Sequence, residues 1–194
     1  MKDRNRGVTS GPEPAPRHPS PVRRSEINLR SLQQTIDQIL ADPERGVFVW
    51  KATAQSAGGL RVEARCRQFE LAFDEPPSVA GSDTAPGPHE VILACYGACL
   101  IVSYALNAAR QNIPLDDVRV EVEGHVDIPG FLGVAGLPTL KDLPGYKSVV
   151  ARMYVKSDAE PAVLEQLHQQ TIDFSPVGLT LSRPVKVENE FVLE

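Results

Sequence analysis

The sequence predicts an α+β fold, and three observations carry that prediction. Short β-rich runs recur at 47–54, 62–73, 118–123, 149–155 and 185–193, several of them separated by turn chemistry. The stretch from Pro88 to about Gln111 is apolar on nearly every side until Asn107, the pattern of a central buried helix. Helical periodicity also appears before and after these elements, and 194 residues at 42% hydrophobic content suffice for one domain-sized core.

Taken in order, Met1 to about Arg24 is rich in Pro, Arg, Ser and Gly and buries too little apolar surface to order itself. Residues 1–25 are therefore expected to form a flexible basic tail. Residues 26–194 form a single domain opening with a helix at about 26–42. Ser25 is the expected N-cap of that helix. Leu29, Leu32, Ile36, Ile39 and Leu40 follow at helical spacing, and Asp42-Pro43 closes it. Val47 to Ala54 reads as a strand and Ala57-Gly58-Gly59 as a hairpin turn. Val62, Ala64 and Cys66 share one face of the next strand, whereas Phe69, Leu71 and Phe73 fall on the other phase. The switch near Arg67-Gln68 predicts a β-bulge or a new strand. Cys66 then faces inward as a small buried hydrophobe.

Asp74 to Gly87 is turn chemistry throughout. Pro88 suits the first position of the long helix, Glu90 its positive end, and Asn112-Ile113-Pro114 its stop. Val118, Val120 and Val122 alternate with charged residues as a strand. Residues 128–146 form a long Gly/Pro loop presenting Phe131, Leu132 and Leu137, of the kind that makes lid or partner contacts. Val149, Ala151, Met153 and Val155 make the next strand. A helix at about 160–172 is expected to turn Leu164, Leu167 and Ile172 inward. A short turn or helix at 175–181 precedes a final strand at 185–193.

Composition narrows the function. Net charge is −5, yet the first thirty residues carry a net +4, so the remainder holds about −9, no general surface for nucleic acid. The longest apolar segment, Val91 to Leu106, is broken by Gly97, Ser103 and two cysteines, short of an uninterrupted run of roughly 18 residues. The first thirty residues hold no apolar leader segment. The expectation is a cytoplasmic protein without membrane attachment. Three cysteines do not make a disulfide framework.

Cys95 and Cys99 stand at i, i+4 on one face of the long helix. As metal ligands they need a further soft or imidazole donor, and the four histidines lack ligand spacing. A disulfide between them is opposed by the splay of their Cβ vectors. Inert core thiols and one reactive thiol remain open. A reactive thiolate three turns into a helix needs a neighbouring cation, for which Arg61 and Arg65 on the early hairpin are the candidates. His89 reads either as a solvated first-turn residue or as a substrate contact.

A resemblance adds to this. Phe73-Asp74-Glu75-Pro76-Pro77, Gly81-Ser82-Asp83-Thr84, Gly87-Pro88-His89-Glu90 and Leu93-Ala94-Cys95-Tyr96-Gly97-Ala98-Cys99 occur in that order. With Asn112-Ile113-Pro114-Leu115, the 118–124 strand, Ser175-Pro176-Val177 and Pro184-Val185, they resemble the OsmC/Ohr superfamily over roughly 47–192. These are the osmotically inducible and organic-hydroperoxide-resistance proteins of the oxidative and osmotic stress response. The resemblance implies antiparallel sheets packed around a long central helix in an intertwined homodimer, with two sites at the subunit interface. It also implies a thiol peroxidase that reduces organic hydroperoxides or H2O2 and carries no cofactor and no metal. The attacking cysteine of that family stands eleven residues after the Pro that opens the helix, and Cys99 stands eleven after Pro88. By the same resemblance Arg61 is the candidate thiolate stabiliser and Glu90 the candidate orienting acid; His89, Cys95 and Ser175 complete the candidate site as binding residues.

The sequence departs from the family at two places. The resolving cysteine precedes the Pro of a late Cys-Pro motif, and here that position is Ser175. The family's acid directly follows the helix-opening Pro, where this chain has His89, and Glu90 comes one residue later. A one-residue shift turns a helical side chain by about 100°. The implied cycle therefore uses one cysteine, with an external thiol as reductant. The competing expectation is a catalytically degenerate protein that binds a small hydrophobic ligand or senses redox state.

Overall fold

The computed structural model describes residues 22–133 and 144–193. Residues 1–21, most of the predicted tail, lie outside the described residues, as does Leu137. The described body begins before the predicted boundary at 25. Val22 forms an isolated bridge with Leu115, and Arg24 Nε donates to the Ala109 carbonyl at 2.9 Å. Ser25 sits in a 3-10 turn, so the cap of α1 (Leu29–Ala41) falls to Asn28, whose side chain accepts from the Ser31 amide at 3.0 Å.

Three strands follow, β1 (Thr53–Ser56), β2 (Val62–Cys66) and β3 (Phe69–Phe73), antiparallel in the order β1-β2-β3. Gly58 and Gly59 turn the first hairpin with φ of 101° and 58°, values open to glycine. The phase switch is a new strand. Cys66 pairs with Phe69 across a two-residue turn in which Arg67 takes φ 57°. Val62, Ala64 and Cys66 alternate half-buried with exposed Glu63 and Arg65, as the period of two requires. The predicted strand at 47–54 is corrected to its last two residues and beyond. Residues 47–52 carry no ladder, and Trp50 is 76% exposed.

The long helix α2 (Pro88–Arg110) starts at the proline the sequence nominates. Glu90 Oε2 accepts the Gly87 amide at 2.7 Å and satisfies one of the orphan N–H groups of the first turn. Its packed face buries Gly97, Leu100, Tyr104, Ala108 and Ala109 against β4 (Asp117–Asp127), α4 (Pro161–Asp173) and α5 (Pro176–Ser182). All-round burial is not observed, because one chain covers one side: Val102 is 65% exposed and Cys95 is exposed. By length and composition α2 is apolar enough to cross a membrane, the one such helix among the described residues, which corrects the sequence estimate. Its contacts make it the packing centre of the α+β fold.

Strand β4 pairs antiparallel with β5 (Gly145–Lys156), with an irregularity between His125 and Val126. Val149, Ala151, Met153 and Val155 occupy the inner phase of β5. A short helix α3 (Ile128–Phe131) opens the predicted 128–146 loop and leaves Phe131 and Leu132 exposed. On α4, Leu167 and Thr171 are buried one turn apart, whereas Ile172 is exposed. Five residues after Leu167, Ile172 lies about 140° round the helix, so the inward expectation for it fails. Residues 183–193 form no strand, and Val187, Phe191 and Leu193 stand exposed. Tyr104, Ala108, Leu115 and Leu167 form the core, joined by Val22, Ile113, Val118, Met153 and Val155. The Tyr104 hydroxyl donates to the Leu164 carbonyl at 3.3 Å, which gives its polar end a partner.

Candidate functional site around Cys99

Two sequence-predicted site residues meet. Cys99, half-buried on α2, has its Sγ 3.4 Å from the Oγ of Ser175, which lies 76 positions later in the chain. Pro176 opens α5 and makes Ser175 its N-cap, and the Ser175 oxygen accepts the Gly178 amide at 3.2 Å. Ser175 is 1% exposed. The approach of α5 to α2 depends on Gly178, where a Cβ would lie 3.0 Å from a ring carbon of Tyr96 and 3.1 Å from Ser175 Oγ. Beside this contact opens a cleft of about 280 Å³ lined by Tyr96, Tyr146, Val149, Gly178, Leu181 and Ser182.

The other predicted residues are placed elsewhere. Glu90 is committed to capping α2, and nine residues of helix put it about 13 Å along the axis from Cys99. His89 presents its ring edge-on to Tyr146 and Phe131, with centroids 5.8 and 6.3 Å away. Cys95 is exposed one helical turn before Cys99. Arg61 does not bond Cys99 within the chain: its Nη1 donates to Thr84 Oγ1 at 2.9 Å and its Nε lies 3.8 Å from Glu63. Arg65, the other candidate cation, pairs with Glu70 at 2.8 Å. Among the described residues no group of three or more His, Cys, Asp or Glu side chains gathers to hold a metal ion.

Sequence reasoning missed two features. Asp74 is 2% exposed, and its carboxylate accepts the amides of Glu75, Ser82 and Thr84 and the Thr84 hydroxyl. These bonds, the Thr84 hydroxyl first, hold the carboxyl down at about 2. Because Thr84 gives its only proton to Asp74 at 2.7 Å, its oxygen is left to receive Arg61, and the turn-rich segment ties Arg61, just before β2, to Asp74, just after β3. No local pattern announces this. The second is Tyr146, whose hydroxyl donates to the His89 carbonyl at 2.6 Å. Burial, with the nearby Glu90 charge, pushes that hydroxyl's pKa up. Its ring lies over Gly124, and a glycine inside an alternating valine strand was the available signal of such an approach.

The family model described as OsmC-like protein matches residues 81–190. Among curated proteins no sequence match is found. Solved structures share the fold. An OsmC-like protein from Mycoplasma pneumoniae superposes with a TM-score of 0.58 at 18% identity, covering 70% of this chain and 88% of that one. An organic hydroperoxide resistance protein OsmC from Legionella pneumophila gives 0.52 at 20% identity, covering 70% and 90%. An organic hydroperoxide resistance protein from Elizabethkingia anophelis, with thiocyanate bound, gives 0.52 at 16% identity, covering 68% and 86%. With more than half of its length matched by the family model and the same α+β architecture, the chain belongs to the OsmC-like protein family.

Proposed function

We propose that this chain is a thiol-dependent peroxidase that attacks peroxide with Cys99 Sγ and completes its cycle with one protein cysteine. The contact between Cys99 and Ser175 carries the reading. The position that resembles the family's resolving cysteine touches the attacking sulfur, and here it offers a hydroxyl. In the first step the thiolate attacks one peroxide oxygen, the O–O bond breaks, and the other oxygen leaves as alcohol or water after taking a proton. Cys99 is oxidised to a sulfenic acid. An external thiol then attacks the sulfur and releases water, and a second external thiol frees Cys99 as the small disulfide departs.

The proposal includes a homodimer in the cytoplasm. Exposed apolar residues at Val47–Trp50, Val102 and 185–193 are surface for a second copy to cover. Arg61 remains the proposed thiolate stabiliser, acting toward a site shared between copies.

A second reading is a ligand-binding or redox-sensing protein that kept the fold. The commitment of Arg61 to Thr84 and Glu63 favours it. Thiol-dependent consumption of cumene hydroperoxide and H2O2, measured on the wild type and on Cys99→Ser, decides between them. The peroxidase reading expects loss of turnover in the variant and dimedone labelling of Cys99 in the wild type. Equal rates for the two proteins refute it.

A further inference from the structure

We infer that Ser175 is a catalytic hydrogen-bond donor to Cys99, holding the sulfur as thiolate from the position where the family keeps a thiol. This assignment deepens the one-cysteine reading above and rests on it for its purpose, though not for its measurement.

The direction of the bond follows from proton counting. A serine hydroxyl carries one proton and two lone pairs. Ser175 Oγ takes the Gly178 N–H on one lone pair, because a backbone amide can only donate. Its own proton still needs an acceptor, and at 1% exposure water is not at hand. The atom at 3.4 Å is Cys99 Sγ. If the thiol donated instead, the oxygen would accept from both neighbours and the hydroxyl proton would be left buried without this partner. The favoured arrangement sends O–H toward sulfur. A thiolate is a far stronger acceptor than a thiol, so the bond strengthens when the sulfur is ionised and selects that form.

Both ends of the donor are fixed. Pro176 sets the start of α5, the cap bond fixes the Ser175 rotamer, and Gly178 lets α5 close on Tyr96 one turn from Cys99. The role needs no guanidinium from within the chain, which matters because Arg61 is engaged by Thr84 and Glu63 and Arg65 by Glu70. It also gives a chemical reason for serine at this place. The hydroxyl polarises the sulfur but cannot condense with a sulfenic acid, so reduction passes to an external thiol.

The test is residue-resolved alkylation of the full chain by iodoacetamide across pH, with fragment-ion mass spectrometry separating Cys99 from Cys95. Ser175→Gly removes the hydroxyl with the substitution that an N-cap tolerates best, and Ser175→Thr restores an O–H. Ser175→Gly is expected to move the Cys99 alkylation midpoint up by about one pH unit, a tenfold loss of thiolate below it, with Ser175→Thr close to wild type. Cys95, on the same helix, serves as the control and should not move. Near-ultraviolet circular dichroism checks that α5 stays docked, and Ser175→Ala repeats the measurement if the glycine variant loosens it. A Cys99 midpoint unchanged in a folded hydroxyl-free variant overturns the assignment. Because alkylation reads the thiolate without turnover, that failure is distinct from failure of the peroxidase reading, which would appear as equal peroxide consumption by wild type and Cys99→Ser.

Discussion

Gly124→Ala is expected to destabilise the protein and to do so through Tyr146. A Cβ at Gly124 would fall 2.3 and 2.7 Å from two carbons of the Tyr146 ring and 3.0 Å from Leu93 Cδ2. Ordinary contact needs about 3.4 Å, so the ring must retreat by about 1 Å. The ring is rigid, and the hydroxyl at its far end is anchored at 2.6 Å to the His89 carbonyl. Retreat therefore strains the packing, costing about 1–3 kcal/mol, and loosens a hydrogen bond contributing about 1 kcal/mol more. A total of about 2–4 kcal/mol corresponds to a Tm lower by roughly 5–15 °C for a chain of this size. Denaturant unfolding followed by circular dichroism measures it, with Tyr146→Phe and Tyr146→Leu as companions. Tyr146→Phe alone should cost about 1 kcal/mol through the lost bond. Gly124→Ala should then cost much less in the Tyr146→Leu background than in the wild type, because the clash partner is smaller. A Gly124→Ala midpoint equal to wild type, or strict additivity with Tyr146→Leu, refutes the reasoning.

Three further outcomes are expected. Ser175→Cys should form a disulfide with Cys99 under peroxide, since Ser175 Oγ already lies 3.4 Å from Cys99 Sγ; non-reducing peptide mapping that finds both thiols free after oxidation would contradict the geometry. Thr84→Val removes the hydroxyl that joins Arg61 to Asp74, so guanidinium NMR should show faster rotation of Arg61 than in the wild type, with Thr84→Ser restoring the slower motion. The Asp74 carboxyl is held near 2 against an ordinary 3.8, so the folded state favours the ionised form. Its contribution is fully present above about pH 4 and disappears as pH falls toward 2; Asp74→Asn should lose that stretch of acid dependence in unfolding titrations, and an unchanged acid limb would count against the clamp.

Much of the local structure is written in neighbouring residues. Pro88 and Glu90 start α2 because fixed φ and an acceptor three residues after the cap are properties of a single turn. Gly58-Gly59 makes the hairpin because only glycine takes both positive φ values without strain. The alternation of Val149, Ala151, Met153 and Val155 reports β5 because one buried face imposes a period of two. The resemblance carried by the Gly81–Cys99 motifs reached the family for the same reason, being order and spacing along the chain.

Tertiary structure decided the rest. Residues 47–52 and 185–193 have strand composition without strands, because β-propensity is realised only against a paired neighbour and the single chain offers them none among its described residues. α2 is apolar nearly all round yet buried on one face, since burial depends on how many elements arrive to cover it. The approach of Ser175 to Cys99, of Tyr146 to Gly124 and of Arg61 to Thr84 joins residues 76, 22 and 23 positions apart. Such contacts are set by the packing of whole elements rather than by local conformational preference. The sequence by itself thus determined the helix starts, the turns and the alternating strands, and put Cys99 forward as the candidate sulfur; the fold decided that a buried hydroxyl lies 3.4 Å from it, because only the docking of α5 on α2 brings the two together.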